Sequence, residues 1–343
     1  MEKKLNLNIQ GLRGVCALMV FSGHAFGVYA LPWLTAISDT PFYLPWDGHA
    51  AVMMFFALSG YFYYNNRLLS VGGYLRKIGR RMLRLLPPYW LSIALGAVLC
   101  NAFLFYGFRE GTEVSPWFSG FWTDSVTLSR FLREASVLLM QDVPSETYIN
   151  PNAWYLIVDF KMMLVMPLLV FGLNKTQWWL CFPLLLFFLV SGKGLYLAVY
   201  LAGAALHHWQ ESVRQLLRHR ADAWAALIAG LLLWDYPHWA DAAHVRIYAD
   251  ITQSLGALLL LGLVATRSEP IWLGHKALVW VGNISYEFYI LHFLVLAILQ
   301  PFVASPFLFI ILSFLLSLCM ARHAHWGMGL LTDYLLNYKK GSL

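Results

Sequence analysis

From residue 11 to residue 321 the chain is a succession of apolar runs, and no polar linker between them could separate independent folding units. In hydrocarbon every backbone N–H and C=O has to be satisfied within its own segment or by a closed barrel, so runs approaching about 20 apolar residues read as membrane-spanning helices. Hydrophobic residues make up 59% and charged residues 12% of the 343 positions. That is too little polar surface for a soluble globule of this length. The expected fold is all-α: a polytopic membrane protein forming one membrane domain over 1–343.

Ten helices are expected, near residues 11–30, 48–64, 85–106, 152–172, 177–192, 195–208, 222–236, 249–266, 283–301 and 304–321. The Asn174-Lys175 break and the SGKG turn at Ser191 to Gly194 leave the fifth to seventh short enough to be partly re-entrant. Lys and Arg in alternate connections set the orientation. With the N-terminus in the cytoplasm, 17 fall inside, among them Arg76, Lys77, Arg80, Arg81, Arg84, Arg220 and Arg267, while Arg109, Arg130, Arg133, Lys193 and Arg246 fall outside. Both termini are then cytoplasmic. The formal charge of +6 is explained by these clusters and implies no nucleic-acid partner. Cys16, Cys100, Cys181 and Cys319 lie in apolar segments without paired spacing, so neither a disulfide framework nor a metal site is expected. The long outer connection, residues 107–151, reads as a lid, an acceptor-binding loop or a disordered tether, with an amphipathic surface helix over 128–140.

Costly groups inside these spans point to chemistry. Arg13 and His24 are separated by ten residues in one span. Eleven steps return almost to the same helix face and put the two groups about 16 Å apart in depth. Arg76, Arg80 and Arg84 follow an i, i+4, i+8 spacing at the start of the third span, with Arg81 beside them. Such guanidiniums suit phosphate groups or anchor the helix to anionic headgroups. The second span carries Ser59-Gly60, a hydroxyl beside a small residue that permits close helix contact, preceded by Asp47 and His49. Asp159 and Lys161 differ by about 200° around the fourth span and need separate partners. In the ninth, Tyr289 and His292 are i, i+3 neighbours.

Five pieces in order resemble the acyltransferase-3 family of integral membrane acyltransferases. They are LRG at Leu12 to Gly14 with His24 after a ten-residue gap, FFALSGY at Phe55 to Tyr61, RMLR at Arg81 to Arg84, WYLIVD with Met166-Pro167, and ISYEFYILH at Ile284 to His292. The chain departs from the family pattern at Asp159, where Glu is usual, and at Met163, where Tyr is usual. Some relatives carry a fused SGNH esterase-like domain, which is not expected here.

The resemblance implies a bacterial inner-membrane enzyme that moves an acyl group, acetyl in the first instance, from a cytoplasmic acyl-CoA to a hydroxyl of a surface or lipid-linked glycan. His24 is implied as general base or transient acyl carrier, with Arg13, Arg80, Arg81 and Arg84 on the donor and Ser59, Asp159, Tyr286, Tyr289 and His292 in support. No metal is implied, and a separate extracytoplasmic protein partner remains open. The rival reading is a transporter or flippase of a lipid-linked glycan, since helices with buried charges also line translocation paths.

Overall fold

The computed structural model describes residues 6–29, 31–64, 71–107, 114–136, 147–190, 194–240, 242–267 and 269–341. Most of the SGKG turn and residues 108–113 and 137–146 of the long outer connection lie outside the described residues. Among the described residues there is no strand. The helices are α1 (Leu7–Gly27), α2 (Pro32–Ile37), α3 (Gly48–Tyr63), α4 (Val71–Tyr106), α5 (Pro116–Ser119), α6 (Leu128–Ala135), α7 (Ala153–Lys175), α8 (Cys181–Val190), α9 (Leu195–His208), α10 (Gln210–Leu216), α11 (Arg220–Trp234), α12 (Ala242–Thr266), α13 (Lys276–Asn283), α14 (Ser285–Leu299) and α15 (Pro306–Gly341).

Among the described residues five helices are long and apolar enough to cross a membrane, over Gly72–Tyr106, Ala153–Lys175, Tyr248–Thr266, Ser285–Phe302 and Pro306–Leu330, and Trp178–Phe188 and Leu195–His208 are shorter apolar helices. The protein is therefore a helical integral membrane protein. Of the other expected spans, α1 has the length but carries Asn8, Gln10, Arg13 and His24. The 16 residues of α3 give only about 24 Å of helix against a hydrocarbon thickness of about 30 Å.

The chain packs as two compact units. The first comprises Met1–Gly23, Pro32–Ser70 and Lys161–Asn283. Its core is α3 against α9, where backbones meet without side chains between them. A Cβ at Gly60 would strike the Tyr200 carbonyl, and one at Gly203 would strike the Ala57 carbonyl. Small residues of this kind are what allow tight helix association where no hydrophobic drive operates between helices. The close contact expected at Ser59-Gly60 is made here, and Ser59 lies on α3 beside it. Asp47 caps the start of α3, its side chain accepting from Ala50 N at 2.9 Å, which satisfies one orphan donor of the first turn.

The second unit comprises His24–Leu31, Val71–Phe160 and Ile284–Leu343. It holds α4, the beginning of α7, α14 and α15. Two boundaries differ from the sequence expectation. The arginine cluster belongs to the same 36-residue helix as the span, which continues through Pro87 and Pro88, although each proline leaves the carbonyl four residues earlier without its helical donor. At the other end, α15 continues past residue 321 to Gly341.

Candidate active site

In the second unit the end of α1 and the middle of α14 bring two histidines together. His24 Nδ1 lies 2.9 Å from His292 Nε2, with the rings stacked at 5.1 Å between centroids. Their proton positions follow from the partners. His292 Nδ1 is 3.0 Å from the Phe288 carbonyl, and a carbonyl only accepts, so Nδ1 carries the hydrogen. In the neutral ring Nε2 is then an acceptor, which obliges His24 to donate from Nδ1. The consequence is that His24 keeps its own Nε2 as a free lone pair, and among the described residues that atom makes no hydrogen bond. His292 is fully buried, whereas His24 is half-buried. The buried ring is held by two contacts, and the half-buried ring keeps a lone pair.

Three successive carbonyls of α14 are taken by side chains. The Phe288 carbonyl accepts from His292. That of Tyr289 accepts from Asn152 Nδ2 at 2.9 Å, and that of Ile290 from Asn150 Nδ2 at 2.7 Å. Asn150 also donates to Ser92 Oγ at 3.1 Å, joining α4, α14 and the start of α7. The backbone of this corner is held in turn by Glu134, whose carboxylate accepts from Ile149 N at 2.8 Å and Asn150 N at 3.2 Å. Burial pushes that carboxyl up to about 7, against the pull of the two N–H groups and of Arg130 and Arg133.

The described part of the outer connection covers His24. Ser115 N donates to the Val28 carbonyl at 2.8 Å and Ser115 Oγ to the Gly27 carbonyl at 2.6 Å, tying α5 to the end of α1. Trp117 then stacks on His24 with 5.3 Å between centroids while keeping 36% of its surface exposed. Trp122, with a left-handed φ of 58°, donates its indole N–H to the Ile149 carbonyl at 2.8 Å. A family model described as an acyltransferase domain, Acyl_transf_3, matches residues 6–321. The chain belongs to the acyltransferase-3 family. No curated protein and no solved structure matches it.

The family match covers the arginine cluster, where the structure separates residues that the sequence groups. Arg76, Arg80 and Arg84 are exposed along one side of α4. Arg81 turns inward, and its Nη2 lies 2.7 and 2.9 Å from the two oxygens of Asp159 on α7. Asp159 thus finds the separate partner its position required. Tyr286 donates to the Leu85 carbonyl at 2.5 Å, and Tyr289 packs on Tyr155 with 5.4 Å between centroids. In the first unit Arg13 Nη1 donates to Gln10 Oε1 at 3.0 Å, and Gln10 Nε2 to Asn283 Oδ1 at 3.2 Å.

Asp47 is engaged structurally as well. Its Oδ2 accepts from Gln253 Nε2 at 2.6 Å and from His238 Nε2 at 2.8 Å. His238 Nδ1 lies 3.0 Å from the Ser38 carbonyl, so the ring donates from both nitrogens, which only the imidazolium does. Burial opposes that charge, but the hydrogen bond to Asp47 and its carboxylate charge raise the His238 pKa above 6.5. Burial likewise opposes the Asp47 charge, and His238 with the Ala50 N–H holds its pKa below 3.8. The aspartate contribution is lost as pH falls through its depressed value, and the histidine contribution as pH rises through its raised one. Both are complete between about 3.8 and 6.5. Asp235 works the other way, since burial raises its carboxyl to about 6 and its cost grows as it ionises. The stability advantage of wild type over His238→Asn is therefore expected to be largest within that window and to shrink at alkaline pH, as read by thermal unfolding in detergent. A pH-independent difference would show that the charged pair does not form.

Trp117, Asn150, Asn152 and Glu134 join the site without belonging to any of the five family-like motifs. Ser115-Pro116 is a helix-start pair, Ser at the N-cap and Pro at N1, by which α5 can be found. Nothing local marked the asparagines, whose partners lie 137 and 140 residues away.

Proposed function

We propose that this membrane acyltransferase moves an acyl group, acetyl in the first instance, from cytoplasmic acyl-CoA to a hydroxyl of a surface or lipid-linked glycan, with His24 as general base. The reading includes ten spans with both termini in the cytoplasm of a bacterial inner membrane. The observation that carries it is the orientation of the histidine pair, which leaves His24 Nε2 unprotonated on the accessible ring. An acceptor hydroxyl is too weakly acidic to ionise unaided, and proton transfer to a placed base supplies about 10²- to 10⁴-fold in rate. As the acceptor oxygen forms its bond to the thioester carbonyl carbon, its proton passes to His24 Nε2. The tetrahedral centre then collapses, the C–S bond breaks, and the departing CoA sulfur recovers the proton. His292 acts as a positioning residue, keeping the His24 Nδ1–H donated throughout.

On this reading the exposed Arg80 and Arg84 hold the donor phosphates, and Arg13 marks the donor side of α1. Arg81 and Asp159 fix α4 against α7. Trp117 offers the exposed part of its ring beside His24, an aromatic surface against which the apolar face of a sugar can pack.

Purified protein with labelled acetyl-CoA and a panel of envelope glycans tests the reaction directly. Labelled ester on glycan is expected, and without acceptor no label should remain on the protein. Label retained on His24 would replace the general base by an acyl-histidine route. Acceptor crossing the membrane with no ester formed would favour the transporter instead.

A further inference from the structure

In the first unit, α11 and α12 pack closely against each other. A Cβ at Gly256 would strike the Trp234 nitrogen and the Gly230 carbonyl, so the backbones meet near the C-terminal end of α11. Beside that contact lies a cleft of about 670 Å³, lined along α11 from Arg220 to Trp234 and within the range of a ligand site. Leu227, Leu231, Leu260 and Leu263 line its two helical walls, and Leu12 and Val15 of α1 contribute a third. At the open end stand Arg220 and Arg267, with Trp224 and Trp272 beside them.

Both guanidiniums are exposed, and among the described residues neither makes a hydrogen bond or an ion pair. The nearby carboxylates of Asp222 and Glu269 do not line the cleft. Arg220 also opens α11, where His219 provides no side-chain cap, so backbone N–H groups there add to the positive field. The charge count places this end at the cytoplasmic surface. From Arg220 to Trp234 the helix rises about 21 Å, enough for the apolar half of one leaflet, about 15 Å deep. Two cations at headgroup level above an apolar slot, flanked by interfacial tryptophans, match one kind of molecule.

We infer that this cleft is a binding site for an anionic membrane phospholipid, its phosphate held by Arg220 and Arg267 and one acyl chain lying between α11 and α12. The inference shares the span orientation of the proposed function and none of its acyl-transfer chemistry. A generic lipid-facing groove would take any chain, so the arginines make the distinction.

The test is native mass spectrometry of the full chain released from nanodiscs of equal phosphatidylglycerol and phosphatidylcholine. Wild type is expected to retain one phosphatidylglycerol in preference to phosphatidylcholine by about tenfold, the effect of one charge-assisted contact. In Arg220→Gln/Arg267→Gln, two exposed changes that leave the packing intact, that preference should disappear. Leu227→Trp, which fills the slot while leaving both arginines, should lower retention of both lipids. Equal retention of the two lipids by wild type overturns the inference. So does a preference that survives the double substitution, or phosphatidylglycerol retention unaltered by Leu227→Trp.

Discussion

Alanine in place of His24 is expected to reduce acyl transfer by about 10²- to 10⁴-fold, while the protein still inserts and binds acyl-CoA. The size of the effect follows from His24 being the one half-exposed base of the histidine pair among the described residues. His24 Nε2 is unoccupied, while His292 is buried, with its Nε2 2.9 Å from His24 and its Nδ1 3.0 Å from the Phe288 carbonyl. His292 should therefore behave differently. Its alanine variant removes the acceptor for the His24 Nδ1–H, so the ring loses both its orientation and its tautomer, whereas Gln can still accept that proton through its amide oxygen. Loss of an orienting partner of this kind costs about 10- to 100-fold in activity. His292→Ala should fall in kcat by that amount, with part of it restored in His292→Gln and KM for the donor little changed. Turnover retained by purified His24→Ala would remove the catalytic assignment. Equal activity of the two His292 variants would reduce His292 to packing.

That contact joins residues 268 apart in the chain, which explains what the sequence could and could not reveal. The spacing of Arg13 and His24 is a property of one helix, and periodicity reports it. A pairing between α1 and α14 depends on how distant elements pack, and no local pattern encodes that. The same holds for the arginines. Their i, i+4, i+8 register showed that Arg76, Arg80 and Arg84 share a face, yet it could not show which neighbour would turn inward to Asp159. Spans were legible where hydropathy alone decides, as in α7, α12, α14 and α15. They were less so for α1, α3 and α11. There polar groups or short length dilute the signal, and in α1 and α3 burial within a unit takes the place of contact with lipid. The outer connection resisted most. Its described part is set by Ser115 hydrogen bonds to the Gly27 and Val28 carbonyls and by Glu134 receiving the N–H groups of Ile149 and Asn150.

Separating Arg81 from its neighbours gives the second large effect. Its partner Asp159 retains 4% of its side-chain exposure and Arg81 retains 30%, so the aspartate pays nearly full desolvation while the arginine keeps some water. Removing one partner of a buried pair leaves an uncompensated charge and costs about 3–5 kcal/mol. With Arg81 partly solvated, Asp159→Ala should sit at the lower end, about 3 kcal/mol, measured as thermal stability of purified protein in detergent. Arg81→Met/Asp159→Leu removes both charges and fills much of the space, and apolar replacements of buried pairs are often neutral or stabilising. The double variant should therefore recover most of the lost stability. It also isolates the donor question. If Arg81 serves α4–α7 packing, this variant keeps its affinity for acyl-CoA within about twofold, whereas Arg80→Gln/Arg84→Gln, which touches only exposed side chains, loses about tenfold or more. A double variant that is stable but no longer binds acyl-CoA would return Arg81 to the donor site and make Asp159 the group that aims it. Unchanged affinity in both double variants would leave the exposed arginines with the orienting role that cytoplasmic charge ordinarily plays in membrane helices.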